Sequence, residues 1–458
     1  MPIDEAQWVV FDRWRERWGD IIGLRILGNQ MVVLNCYKDA IALLDKKSLN
    51  YSDRPALVVV GKEMGWDQGV SATPYGDYWR EQRRYLAPMF GSRKAIEQFV
   101  PSIEEHAREL LLSLLEHPDN LDRALRRSTA ALVLQISHGY NIEDDDDPIL
   151  RAVDQVGHDF ADAMVPGKFL VDLLPSLQYV PEWVPGAKWK QLVKQYKRNV
   201  DHFHELSYKF VKDQMASGTA IPSFSSLNYE PDMSAEKEHI IKWTAAAIFS
   251  AGSDTTISSV STFFLAMTCF PEIQKRAQQE IDTVIGTDRL PLIADHDRLP
   301  YVCAIISEVL RWQPVTPLGG IHKSMEDDIY KGYFLPKGTW ILPNVWKFLH
   351  DPKIYADPLT FNPDRFMTTD GRHPEMDPRQ FAFGFGRRIC PGLQFADTNM
   401  FAQCAMTLAV FDIDKATNDG RVVEPKVAYT TGAVSYPLPW EFSLKPRNSK
   451  AEALIKGF

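Results

Sequence analysis

The chain has 458 residues, 45% of them hydrophobic and 24% charged, a balance that excludes a mainly disordered protein. Lys and Arg number 51 against 60 Asp and Glu, a formal net charge of −9, which argues against a general polyanion or nucleic-acid binder. Five scattered cysteines with no C-x-x-C pair argue against a disulfide framework and a structural zinc site.

The first segment, MPIDEAQWVVFDRWRERW, has early acids and no apolar core, so it reads as a helix and not as a signal peptide or anchor. In IIGLRILGNQMVVLN the alternation of Ile22, Leu24 and Ile26 predicts a strand, and Gly28-Asn29 a turn before a second strand. From 101 to 240 the apolar spacing is mostly helical. The EDDDD run at 143–147 reads as a solvated loop ahead of Pro148. Residues 165–189 mix Pro166, Pro175, Pro181 and Pro185 with large apolar side chains. This broken connector suits core packing and a lipid-touching surface equally.

A long helix is predicted over 235–268, a second over 271–285 and a third over 299–312. The uncharged stretch 255–270 falls short of the ~20 apolar residues of a spanning helix and is rich in Ser and Thr, so a buried core helix is expected. IYKGYFLPKGTWILPNVW predicts strands around Pro336-Lys337-Gly338, and 350–380 is irregular. A last long helix is expected to begin near Cys390. No internal repeat appears, and the sum is mainly α with a minor β part.

The most specific segment is FAFGFGRRICPG, 381–392. Gly384 and Gly386 permit a tight backbone bulge. Cys390 then stands at the mouth of a helix with Pro391 suited to its first position, a setting that lowers a thiol's pKa. Arg388 lies two residues away, within reach of an anion at the same place. This segment resembles the haem-binding signature of the cytochromes P-450, F-x-x-G-x-R-x-C-x-G, matching at Phe383, Gly386, Arg388, Cys390 and Gly392. The resemblance implies that Cys390 is the proximal thiolate on the iron of haem b, a ligand that favours O–O cleavage.

Other elements follow in the order that family requires. Glu308 and Arg311 read as its E-x-x-R, three apart on one helix face, with Arg365 in FNPDRF as the third partner of a structural network. AGSDTT, 251–256, resembles its oxygen-activation motif. There Ala251 and Gly252 leave room over the cofactor, the Thr255 hydroxyl bonds a carbonyl four residues back, and Thr255 and Asp254 serve proton delivery. Trp79 and Arg83 form its W-x-x-x-R, and with Arg388 and His322 are the expected propionate contacts. Analogy puts Ala247, Ser250, Thr316, Leu318, Gly320 and Thr431 in the substrate pocket, with 57–66 as a lid. Their neutral character favours a lipophilic small molecule.

The resemblance runs over nearly the whole chain, which is similar to filamentous-fungal microsomal members around O-methylsterigmatocystin oxidoreductase. It implies one haem-containing catalytic domain over 1–458, and a monooxygenase of fungal secondary metabolism or xenobiotic oxidation. Expected partners are O₂ and NADPH-cytochrome P-450 reductase, with cytochrome b5 as an auxiliary, in a monomer. Such members reside on the cytosolic face of the endoplasmic reticulum through an anchor that this chain is expected to lack. A reductase-independent peroxygenase or isomerase, or a non-catalytic haem carrier, stays open beside this reading.

Overall fold

The computed structural model describes residues 5–457 except 143–145, 165–166, 173, 369–370 and 372. Helix α1 (Gln7–Trp18) leads into an antiparallel hairpin of β1 (Ile21–Ile26) and β2 (Asn29–Leu34). Ile26 pairs with Asn29, so the turn is Leu27-Gly28, one residue earlier than the sequence suggests. Both take positive φ, the geometry that matches a twisted two-residue hairpin. The main helices follow: α2 (Asp77–Phe90), α3 (Val100–Glu116), α4 (Leu121–His138), α5 (Pro148–Ala163), α6 (Trp189–Ser217), α7 (Ala235–Cys269), α8 (Pro271–Val284) and α9 (Pro300–Trp312). Strands β3 (His322–Lys323), β4 (Asp328–Tyr330), β5 (Tyr333–Leu335) and β6 (Trp340–Pro343) come next, then α10 (Leu393–Val410), β7 (Phe411–Lys415) and β8 (Phe442–Pro446).

Three local expectations change. The hairpin in 328–335 turns at Lys331-Gly332, while Pro336-Lys337-Gly338 carries the chain to another sheet, ordered β1-β2-β6-β3 with β6 parallel to β2. Asp147 is not a solvated end of the acidic run. It is buried and caps α5, accepting bonds from the Ile149 and Leu150 amides; residues 143–145 of that run lie outside the described residues. The 165–189 connector divides its roles: Phe169 and Val171 are buried, whereas Tyr179 and Trp183 are 78% and 82% exposed; its Pro166 and Leu173 lie outside the described residues.

Helix α7 organises the interior. Ser234 caps its start, two glutamates in the first turn suit the dipole, and Pro271 opens α8 after a bend of 106°. The far half of α7 (Phe263, Phe264, Met267) packs with α3, α4, α9 and α10. The near half (Trp243, Phe249) packs with α5, α6 and Val58–Glu63, a single π-helical turn. Hydroxyls inside this helix return to carbonyls one turn back, as Thr244, Ser253, Thr256 and Thr262 do, so its Ser and Thr are buried without unmet bonds. Among the described residues no single helix is long and apolar enough to cross a membrane.

Candidate active site

Between the two packed halves of α7 the burial breaks. Ala251 is exposed in mid-helix, and Gly252, Asp254 and Thr255 are half-buried. Thr255 Oγ1 donates to the Ala251 carbonyl at 2.7 Å, the bond expected from the spacing. A Cβ on Gly252 would stand 3.2 Å from a Val133 methyl, so the glycine lets α4 approach α7 closely.

The loop before α10 is shaped by two glycines at positive φ, Gly384 at 81° and Gly386 at 53°. A Cβ on Gly386 would lie 2.2 Å from the Leu44 carbonyl, so only glycine fits. The Gly386 amide donates to Asp45, and the Cys390 amide donates to the Phe383 carbonyl at 2.8 Å, closing the loop. Helix α10 starts at Leu393, so Pro391 is not its first residue and Cys390 precedes the helix. This alters the electrostatics expected of the thiol. Burial pushes the Cys390 pKa up, and only the Gly392 amide and the Arg83 charge oppose it. Yet the side chain is exposed. A thiol both deep in protein and open to a probe faces an internal cleft, and holding it as thiolate there requires a cation.

Beside it lies a knot of positive charge. Arg83 on α2 donates to the Ile389 carbonyl at 2.9 Å. Arg388 stacks 4.5 Å from the Trp79 ring centroid and donates to the Ser52 and Thr73 carbonyls at 2.6 and 2.7 Å. Arg54 donates to the Ile321 carbonyl at 2.6 Å. Nδ1 of buried His322 donates to the Tyr51 carbonyl at 2.6 Å. Burial and the neighbouring Arg54 push the Arg388 pKa down to about 9, and burial pushes Arg54 down to about 10. Burial also drives His322 well below its ordinary value, with Arg54 and Arg388 adding repulsion. The nearby carboxylate, Asp53, is committed to Lys323 at 2.7 Å. Clustered guanidiniums without matching anions fit the two propionates of a haem, and the accessible thiol fits its iron. Trp79, Arg83, His322 and Arg388 were legible as candidates; Arg54 was not. Its only local mark is the tetrapeptide SDRP, and its partners at Ile321 and Arg388 are far along the chain.

The E-x-x-R forms a buried network. Glu308 accepts from Arg311 Nε and Nη2 at 2.7 and 2.8 Å, from Arg365 Nε at 3.0 Å and from the Asn362 amide at 2.7 Å. Arg365 also reaches Glu375 at 2.7 Å. Arg311 spends its remaining donors on the Leu349, Pro358 and Thr360 carbonyls, which tie α9 to the segment before the cysteine loop.

The expected pocket residues are distributed unevenly. Ala247 is buried, 3.8 Å from where a Gly69 Cβ would stand, and Ser250 is half-buried one turn before Asp254. Gly320 abuts Arg54, Thr316 is half-buried and Thr431 is exposed. Leu318 packs toward Phe11, Ile22, Val33 and Leu342, on the sheet side. Val58, Val59, Val60 and Trp66 of the expected lid pack with Trp243 and Phe249, over the near half of α7.

A family model described as cytochrome P450 matches residues 2–437. The chain is similar to cytochrome P450 monooxygenase 208 of Postia placenta, 47% identical over 98% of this chain and 88% of that protein. It is also similar to cytochrome P450 monooxygenase claR of Ampulloclitocybe clavipes, 41% identical over 99% and 84%. Among solved structures it resembles a zebrafish cytochrome P450 with abiraterone, at TM-score 0.77 and 22% identity, covering 96% of this chain and all of that one.

Proposed function

The chain belongs to the cytochrome P450 family and is a haem-dependent monooxygenase that takes a small-molecule substrate, O₂ and a redox partner, and from that premise we propose how its residues divide the work. Cys390 would hold the iron of a bound haem through its thiolate, and Arg54, Arg83, Arg388, His322 and Trp79 would hold its propionates. Haem, when bound, supplies the activation of O₂ and the insertion of one oxygen atom into the substrate. Phe383, Gly384 and Gly386 shape the loop that presents the thiolate, and Glu308, Arg311 and Arg365 keep that loop's surroundings in place. Exposed Ala251 leaves open space on α7 for O₂ and water, whereas the room at Gly252 is taken by Val133 of α4. The Thr255 hydroxyl orients a water there, and Asp254 passes it protons. Neutral residues at Ala247, Ser250, Thr316, Gly320 and Thr431 favour a lipophilic substrate, with hydroxylation or epoxidation as its outcome.

The electrons are proposed to come from NADPH through a flavoprotein reductase, with cytochrome b5 as an auxiliary donor, at the cytosolic face of the endoplasmic reticulum. Exposed Leu170, Leu174, Tyr179 and Trp183 suit contact with a membrane surface. The chain is taken to act as a monomer.

The observation that carries this reading is the accessible thiol of Cys390 beside the guanidiniums of Arg83, Arg388 and Arg54, which form no ion pair among the described residues. The test is the carbon monoxide difference spectrum of the dithionite-reduced protein. The parent chain should show the strongly red-shifted Soret band of a thiolate ligand, and Cys390→Ala should lose it. A normal band in the variant would overturn the ligand assignment. Product formed with peroxide alone, and none with NADPH, reductase and O₂, would favour the peroxygenase reading.

A further inference from the structure

Helices α6 and α7 run antiparallel where α7 begins. The rings of His204 and Trp243 lie 4.1 Å apart, and further along α6 Lys212 pairs with Glu238, nearer the start of α7, at 2.7 Å. Between the two helices lie two adjoining cavities of about 380 and 570 Å³. His204 and Trp243 line the first, and Tyr208, Lys212 and Glu238 the second. Glu205, His239 and Lys242 line both, so the two join as one groove. Its α7 residues end at Trp243, about 12 Å along the helix axis before Ala251, which sets it apart from the candidate active site. Two polar atoms of its wall are unmet. His204 Nε2 and Tyr208 OH stand one turn apart on α6, each on a side chain that is buried, and neither has a hydrogen-bond partner among the described residues. A buried polar atom ordinarily finds a partner, and what lies beside these two is open space.

Most of the charge in the groove is already matched. Lys197 pairs with Asp201, and Lys209 with Asp213 at 2.8 Å. At the rim Lys62 donates to Gln178 at 2.6 Å, Asp67 accepts from Gln68 Nε2 at 3.1 Å, and His239 Nε2 donates to Gln68 Oε1 at 3.3 Å. Lys242 and Glu205 are different. They face the groove from opposite helices and form no ion pair among the described residues. The two ends of the groove also differ in sign. Burial pushes the His204 pKa down to about 3, and Lys242, His138, Lys197 and His239 add repulsion, so the ring is neutral in positive surroundings. Burial and the Glu238 charge push the Tyr208 phenol up, which marks negative surroundings one turn away.

We propose that the groove between α6 and α7 is a binding site for a small zwitterion, an amino-carboxylate, outside the haem cavity. The carboxylate lies between Lys242 and His204 Nε2, and the ammonium between Glu205 and the Tyr208 hydroxyl oxygen. An ion of a single sign would take water from both unpaired charges and satisfy one of them. A zwitterion satisfies both, and gives each orphaned polar atom a partner. Four residues separate His204 from Tyr208, about 6 Å of helix rise. The two charges of the ligand are therefore several carbons apart, as in an ω-amino acid, and not on one carbon as in an α-amino acid.

The test titrates 5-aminopentanoate into the haem-loaded full chain by calorimetry, with pentanoate and pentylamine as its single-charge halves and the Soret band followed alongside. 5-Aminopentanoate should bind at one site per chain, about tenfold or more tighter than either half, as the loss of one charge-assisted contact implies. The Soret band should not move, whereas an amine that reaches the iron shifts it. Lys242→Gln and Glu205→Gln should each weaken binding by about tenfold. Exchanging the charges, Lys242→Glu together with Glu205→Lys, should recover the binding that either reversal alone abolishes, because the ligand turns end for end. Thermal melting checks that each variant folds, and Glu205, being exposed, keeps the test open if the Lys242 variants do not. Pentanoate binding as tightly as 5-aminopentanoate would mean a simple anion site and would overturn the proposal. So would a Soret shift with 5-aminopentanoate, binding indifferent to Glu205→Gln, or no saturable binding at millimolar probe.

Discussion

Glu308 shows how much one side chain decides. It is fully buried and is the shared acceptor of two buried guanidiniums, those of Arg311 and Arg365. Neutralising it leaves Arg311 without its anion in low dielectric and Arg365 with Glu375 alone, so Glu308→Gln should cost about 3–5 kcal/mol. The urea midpoint of the variant should drop accordingly, and little haem-loaded protein should accumulate. The cation knot behaves in the opposite sense. Arg54, Arg83 and Arg388 repel one another and are stabilised by an anionic partner. Arg54→Met should therefore speed haem loss to a scavenging protein by about tenfold or more, since one charge-assisted bond is worth about 1.5–3 kcal/mol. Unchanged transfer would remove Arg54 from the propionate edge.

At the scale of the element, α7 owes its shape to local exceptions. A buried 35-residue helix rich in Ser and Thr survives because the hydroxyls return to its own carbonyls. At Gly252 α4 comes close, a Cβ there standing 3.2 Å from a Val133 methyl. Gly252→Val forces those helices apart and should lower stability by about 1–3 kcal/mol. Adding Val133→Ala should recover part of the loss, as thermal melting of the two variants would show. If the pair is no better than the single change, the α4–α7 contact does not set the helix position.

For the whole molecule, His138, His204 and His350 join His322 as histidines folded into the interior as neutral groups. Burial holds His138, His204 and His350 down to about 3 each. In the unfolded chain they titrate near 6.5, so between pH 6.5 and 3 the unfolded state binds more protons than the folded one. Stability is therefore lost as pH falls through that window, each histidine adding up to about 1.4 kcal/mol per pH unit. His204 is the informative case, because its Nε2 is buried without a partner and its ring lies 4.1 Å from that of Trp243. His204→Leu should flatten the fall of melting temperature between pH 7 and 5. An unchanged slope would mean that His204 titrates normally in the folded protein.

Much of the site was legible in the chain because its chemistry is written in short spacings. The spacing of three from Glu308 to Arg311, the spacing of four from Ala251 to Thr255, and the glycines before Cys390 act through backbone geometry, which neighbours along the chain determine. The helices were legible for the same reason, as apolar period and the proline start at 271. What tertiary structure alone decided is which distant groups meet: Arg54 with Arg388, Ser258 with Ser435, β6 with β2, and the burial that raises the Cys390 thiol's pKa. Those meetings follow from apolar faces closing over α7. The cost of removing a charge from water, or the pull of another charge, depends on what that closure brings near, and no local spacing encodes it.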